Sequence, residues 1–347
     1  MRHLAVLAAL AVLPGCGGNT VSLSGRGATF VKEVMFDWAD TYKDFRPVEV
    51  SYTGTGSSDG IQNLINGTVD FGCSDAPMTR DQLARARAAD GEVLHIPLVI
   101  GAVVPAYNLA GIDRPLHFTG PVLADIFLGK VAYWDDPPLR DLNPGVALPH
   151  LNISVVTRGE GSGTTNIFTE YLRKVSDDFR TNVGAGTKPR WPVGQGQPGN
   201  EGVAGFIERT PGSLGYMELS HVLVNQTIRY GTVRNRAGKP VLASLESTTA
   251  AATRGMAEEQ TVEPYSLHDL TYSLTDTGGE DAYPICGMDY MMLYKVQPRV
   301  KGAALVAFLR WATTDGQATA KAKGFAPLPA DLVKRIDAKL NEVEYVP

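Results

Sequence analysis

Arg158-Gly159-Glu160-Gly161-Ser162-Gly163-Thr164-Thr165 decides how this chain folds. The largely apolar run Ile153 to Val156 precedes it. Ile167, Phe168, Tyr171, Leu172 and Val175 follow at helical spacing. That order predicts a strand, a glycine-rich turn and a helix start. A helix start presents unpaired backbone N–H groups and the positive end of the helix dipole. Glycines let such a backbone approach a ligand closely. Ser162, Thr164 and Thr165 add hydroxyls and Arg158 adds a planar cation, so the turn is made of hydrogen-bond donors. Its chemistry suits a small, charged oxyanion.

Working outward, the same pattern recurs. Val21 to Ser24 predicts a strand that enters the turn Gly25-Arg26-Gly27-Ala28-Thr29, with a helix from about Phe30 to Lys43. Val48 to Tyr52 predicts a second strand, which runs into Thr53-Gly54-Thr55-Gly56-Ser57-Ser58-Asp59-Gly60 and a helix carrying Ile61, Leu64 and Ile65 inward. Val69 to Cys73 predicts a third, ending at Ser74-Asp75-Ala76-Pro77, and Ile96 to Val104 is apolar enough to be buried on both faces. Strand, loop and helix in repetition predict an α/β chain built on a parallel sheet, with ligands at the carboxyl ends of strands. Later strands are expected at Gly212 to Tyr216 and Met291 to Tyr294, and helices at Ala303 to Thr313 and Ala330 to Leu340. Residues 184–200 and 246–281 read as surface loops.

The hydroxyls of Thr29, Ser57, Ser162 and Thr164 all sit beside glycines at predicted helix starts. Each alone is explained as a helix cap; four in one chain, one led by an arginine, point to anion binding, and the two roles are compatible. Asp75 is the exception among these donors. Beside an anion it repels, unless it accepts a proton from the ligand. Phosphate near neutral pH carries such a proton and sulfate does not, so a buried Asp75 selects the first. The alternative is a side-chain cap of its own turn. Glu160 either holds the Arg158 guanidinium or is a solvated loop acid.

At 347 residues the chain is long for one core and sufficient for two lobes. A net charge of −5 argues against nucleic acid as a partner. Met1-Arg2-His3, the apolar Leu4 to Leu13 and Leu13-Pro14-Gly15-Cys16 predict an export signal over residues 1–15, with Cys16 as a lipidated first residue and 16–20 as its tether. Pro14 is unusual in such a site. Six histidines and three cysteines show no zinc spacing. The glycines of 194–199 match a dinucleotide fingerprint but do not follow a clean strand, and Ser162 lacks the glycine of a nucleophile elbow.

Gly27-Ala28-Thr29-Phe30, Gly54 to Ser58, Val69 to Pro77 and Arg158 to Thr165 resemble the phosphate-binding protein of bacterial ABC phosphate importers, as do Leu128-Gly129-Lys130, Trp134-Asp135-Asp136, Leu142 to Gly145, Gly215-Tyr216 and Gly279 to Ile285. The resemblance spans nearly the whole mature chain. It implies a type II periplasmic binding-protein fold: two α/β lobes, residues 21–102 with 283–347 and residues 103–282, joined by a hinge with dehydrated phosphate in the cleft. It implies Thr29, Phe30 (backbone), Ser57, Asp75, Arg158, Ser162, Gly163 (backbone) and Thr164 as ligands and Glu160 as the arginine's support. It also implies a monomer without cofactor or enzymatic activity, exported to the periplasm or cell surface, that serves transmembrane permease subunits. Arg26 and Asp59 depart from the family. The first either aids capture or points outward; the second repels phosphate if it turns inward. Within this fold a Cys73–Cys286 disulfide is expected, because the strands that carry them are neighbours. The competing functions are a receptor for sulfate or molybdate, a phosphate sensor or adhesin, and a phosphatase using Ser162 or Asp75.

Overall fold

The computed structural model describes residues 20–258 and 262–347. The leader, Cys16 and residues 17–19 lie outside the described residues, so lipidation is not addressed by the fold.

Ten strands of the described residues form one sheet. They are β1 (Val21–Gly27), β2 (Val48–Gly54), β3 (Phe71–Ser74), β4 (Val93–Tyr107), β5 (Ser154–Arg158), β6 (Gln195–Gln197), β7 (Ser213–Glu218), β8 (Arg229–Tyr230), β9 (Leu274–Thr275) and β10 (Ile285–Tyr294). The main path runs β2-β1-β3-β10-β4-β7-β5-β6, with β9 on β10 and β8 on β4. The parallel pairing read from the strand–loop–helix repeats holds within each half, and the crossing strands implied by the resemblance run antiparallel between them. β1 lies parallel to β2 and β3, and β5 parallel to β6 and β7, but β10 is antiparallel to β3 and β4, and β4 is antiparallel to β7. Two βα halves are thus joined by long crossing strands. β4 pairs with β10 from Val93 to Ala102 and with β7 from Val103 to Tyr107. All fifteen residues of β4 and all ten of β10 are buried, as strands covered on both faces must be.

Helix α1 (Lys32–Lys43) buries Val34, Met35, Trp38 and Tyr42 on one stripe. Trp38 Nε1 donates to the Gly316 carbonyl at 2.7 Å, and Tyr42 packs edge-on to Phe308 at 5.2 Å. Helices α2 (Ser57–Ile65), α3 (Gly163–Val175) and α4 (Gly199–Arg209) start at the ends of β2, β5 and β6. The region expected as loop at 246–281 opens with a helix, Leu245–Ala257, whose Ser244 cap exchanges hydrogen bonds with Ser247. Its buried residues are small, namely Ser247, Thr248, Ala251, Ala252 and Gly255, so small size rather than a large apolar stripe lets it pack. Residues 184–200 likewise contain β6 and the start of α4.

Cys73 and Cys286 are both buried and free, which corrects the expected disulfide. β3 and β10 are indeed neighbours, but Cys73 faces Met291 while Cys286 faces Ala102 on β4. Five residues at about 3.3 Å each separate Cys286 from Cys73's partner, beyond any S–S bridge. Burial pushes both thiols up, so they behave as small apolar side chains. Among the described residues no helix is long and apolar enough to cross a membrane.

Candidate functional site

The ends of β1, β2, β3 and β5 bring the predicted side chains together. Arg158, the last residue of β5, has a side chain only 1% exposed. Its backbone N–H donates to the Tyr216 hydroxyl at 3.2 Å, which places the residue, and its guanidinium reaches in three directions. Nε donates to Glu160 Oε1 at 2.9 Å and Nη2 pairs with the same oxygen; Nη2 also donates to Thr29 Oγ1 at 3.1 Å, and Nη1 to Thr164 Oγ1 at 3.3 Å. Glu160 is thus the arginine's support, not a solvated loop acid. It engages through Oε1, which also accepts the Gly199 N–H at 3.2 Å.

Thr164 Oγ1 in turn donates to Asp75 Oδ2 at 2.9 Å. The Ser57 hydroxyl accepts the Gly163 N–H at 2.9 Å and the Asp75 N–H at 3.3 Å. Gly163 is required by this crowding: a Cβ there would lie 2.6 Å from Ser57 Oγ and 2.7 Å from Asp75 Cβ. Gly56, which caps α2, has φ +103°, a conformation that L side chains rarely adopt. Ser162 is buried and its Oγ accepts the Thr165 N–H at 3.2 Å, so it caps α3 beside the network. Phe30, next to Thr29, turns its ring into the core against Phe325, 5.7 Å between centroids.

Thr29, Ser57, Asp75, Arg158, Gly163 and Thr164 therefore form one connected, buried hydrogen-bond network, drawn from segments on either side of the β4 crossing. Asn200, which sequence reasoning missed, belongs to it. Its N–H and its side-chain amide both donate to Thr29 Oγ1 at 3.2 Å. Its signal was a Gly-Asn pair after Pro198 that opens an amphipathic helix, hidden by attention to the glycine spacing before it.

Asp75 is 4% exposed. Burial pushes its carboxyl up to about 6, against the pull of Asp289, Thr164 and Arg158. Its Oδ1 meets no donor among the described residues. This is a buried acceptor aimed into a nest of donors, where a hydrogen-bond donor on a ligand would relieve it. Arg26 and Asp59 resolve each other. Arg26 Nε lies 2.6 Å from Asp59 Oδ2, and Thr55 donates to the same oxygen at 2.5 Å. The carboxylate is held by this pair at a partly exposed position, and the two unusual charges cancel. Across the mouth Lys32 of α1 meets Glu201 of α4 at 2.5 Å.

Known proteins with this pattern bear directly on the network. A family model described as a PBP superfamily domain matches residues 15–316. The phosphate-binding protein PstS of Xylella fastidiosa is 37% identical over 322 residues, covering 92% of this chain and 85% of that protein. PstS of Haemophilus influenzae is 37% identical over 332 residues, 95% of each chain. Among solved structures, a high-affinity periplasmic phosphate-binding protein bound with phosphate superposes with a TM-score of 0.71 at 18% identity, covering 94% of this chain and all of that one. The phosphate-binding protein of Stenotrophomonas maltophilia superposes with a TM-score of 0.70 at 18% identity, covering 92% and 93%. These two likenesses establish the two-lobed fold, and the sequence identities place the chain more narrowly: it belongs to the PBP superfamily, among the PstS-type binding proteins.

Proposed function

We propose that this chain is an exported receptor that takes inorganic phosphate between its two lobes and delivers it to the permease subunits of an ABC importer, tethered to the membrane through a lipid on Cys16. The lobes are assigned as residues 21–102 with 283–347, and residues 103–282. The protein acts as a monomer, without a cofactor, and makes and breaks no bond.

One observation carries this proposal: buried donors from both sides of the β4 crossing surround Asp75, whose Oδ1 is a buried acceptor without a donor among the described residues. Arg158, the Gly163 and Phe30 N–H groups and the hydroxyls of Thr29, Ser57, Ser162 and Thr164 donate to phosphate oxygens. Asp75 accepts the remaining phosphate proton. A ligand that satisfies Thr29, Ser57 and Asp75 on one side and Arg158 and Thr164 on the other gains contacts only when the lobes are closed. That difference in affinity drives closure, and the permease responds to the closed form. Sulfate and molybdate lack the proton and would leave two like charges in contact at Asp75, so they are rejected.

Calorimetric titration of the mature protein with phosphate, sulfate and molybdate tests this. Tight binding of phosphate alone is expected, and sulfate binding as tight as phosphate overturns the assignment of Asp75. Delivery is tested by phosphate uptake in cells that lack the chain, and the anchor by the membrane fractionation of a Cys16→Ala variant.

A further inference from the structure

Asp289 stands in the middle of β10 at 0% exposure, and neither of its carboxyl oxygens meets a hydrogen-bond donor among the described residues. The antiparallel register pairs Tyr290 with Ser74. The pairing with β3 ends there, and Asp289 and Asp75 are the next residue on each chain, so continuing the same register would bring the two acids alongside each other. The two carboxyls interact side chain to side chain. Asp75 Oδ1, itself buried without a partner, is thus matched by a second acid with the same deficit.

Two buried carboxyls in contact do not both ionise; one proton between them removes the repulsion and donates one hydrogen bond, leaving further lone pairs of the Asp75 carboxylate for a ligand donor. Their surroundings decide which acid keeps it. Asp75 faces the Arg158 guanidinium and the Thr164 hydroxyl, which favour its anion, while Glu218, Cys73 and Tyr52 oppose it from further around. Asp289 has no such support. The titratable groups that sense it among the described residues include Asp75 itself, the Cys73 thiol of β3, the Tyr52 phenol of β2 and Tyr290 on its own strand, while β4 pairs Val99 with it. Tyr52 gives its hydroxyl proton to the Ala28 carbonyl at 2.7 Å, and Tyr290 gives its own to Tyr272. Among the described residues no cation lowers the Asp289 carboxyl, and burial holds it well above the usual carboxylate range.

We infer that Asp289 is a specificity-determining residue of the anion site: a protonated acid that donates a hydrogen bond to Asp75 from behind and so keeps Asp75 a pure acceptor for the ligand's proton. The inference rests on the phosphate reading of the cleft. An Asp75 that carried its own proton would donate rather than accept, and would then admit fully ionised oxyanions such as sulfate. Asp289 holds the proton that would otherwise settle on Asp75. Asparagine at this position supplies the same donor without a titrating group; leucine supplies none.

The test compares the wild type with Asp289→Asn and Asp289→Leu. Phosphate and sulfate are titrated calorimetrically at neutral and mildly acidic pH. Asp289→Asn is expected to keep phosphate affinity and sulfate discrimination near neutral pH. Asp289→Leu is expected to lose about tenfold or more in the phosphate-to-sulfate ratio, the scale of one charge-assisted hydrogen bond. Infrared spectroscopy without ligand supplies a second arm if the leucine variant fails to fold. A protonated-carboxyl band is expected in the wild type, retained in Asp75→Asn and lost in Asp289→Asn, above the constant contribution of Glu218. A wild type that binds no phosphate overturns the phosphate reading and the ligand role of Asp289 with it. A binding wild type matched by Asp289→Leu, or one with no band assignable to Asp289, overturns this inference alone.

Discussion

Arg158→Lys separates the two things the arginine brings to the cleft, its charge and its fork. Lysine keeps the unit charge, but a single ammonium does not reproduce the planar fork that holds Glu160 while also donating to Thr29 and Thr164, as the guanidinium does at 3.1 and 3.3 Å. The bonds to the two hydroxyls are already made without ligand and largely cancel in Kd, whereas each charge-assisted bond to a bound oxyanion is worth about 1.5–3 kcal/mol, and lysine forfeits one of the pair together with the fork that aims the other. Allowing for partial replacement by the ammonium, the loss is about 3 kcal/mol, which is roughly a hundredfold in Kd. Arg158→Ala removes the charge as well and leaves Glu160 beside the anion, so it should weaken binding further. The assay is calorimetric titration with phosphate, with a thermal melt to show that each variant is folded. A folded Arg158→Lys protein whose Kd stays within about threefold of wild type would refute the argument that the fork, rather than the charge, carries the affinity.

Further expectations follow from the same geometry. Asp75→Asn replaces the acceptor by a group that also donates, so phosphate should bind more weakly and sulfate more tightly; a competition titration reads both. Gly163→Ala should weaken phosphate binding, because its Cβ would meet Ser57 and Asp75 at 2.6–2.7 Å; an unchanged Kd would show that the crowding is relieved elsewhere. Glu218, fully buried and bonded to Ser220, is pushed from 4.5 up to about 8 by burial. The native state then holds a proton that the unfolded chain releases, so stability falls as pH rises between about 4.5 and about 8. Glu218→Gln should flatten that part of the curve in urea unfolding measured at several pH values. Denatured mature protein should yield two reactive thiols from Cys73 and Cys286 without reductant, and none would contradict the register described above.

The site was legible where its chemistry is local. Thr29, Ser57, Ser162 and Thr164 announce themselves as short hydroxyls beside glycines at helix starts, and Arg158 as a cation at a strand end. Glu160 and Asp75 stood out because an acid is unexpected among donors, although their alternatives as loop acid or turn cap remained open. What stayed hidden lacks such a neighbourhood. Asn200 looks like any first-turn asparagine until its amide is seen on Thr29. Asp289 looks like a lone acid within a strand, and Glu218 like the polar end of another. The direction of the crossing strands, which the resemblance implies, was hidden for a related reason: a strand buried on both faces has the same composition whichever way its neighbours run.

The sequence by itself determined the repeating strand–turn–helix units, the hydrogen-bond donors gathered in their turns and the family to which the chain belongs. These depend on a few adjacent residues whose backbone conformation and hydrogen-bonding groups are set locally. Only the tertiary structure decided that Cys73 and Cys286 stay apart, that Arg26 is paired with Asp59, and that Asp289 stands behind Asp75. A one-residue shift of a strand changes every partner across it, and the protonation of a buried acid sums the fields of distant segments. Neither quantity is written in any short stretch of the chain.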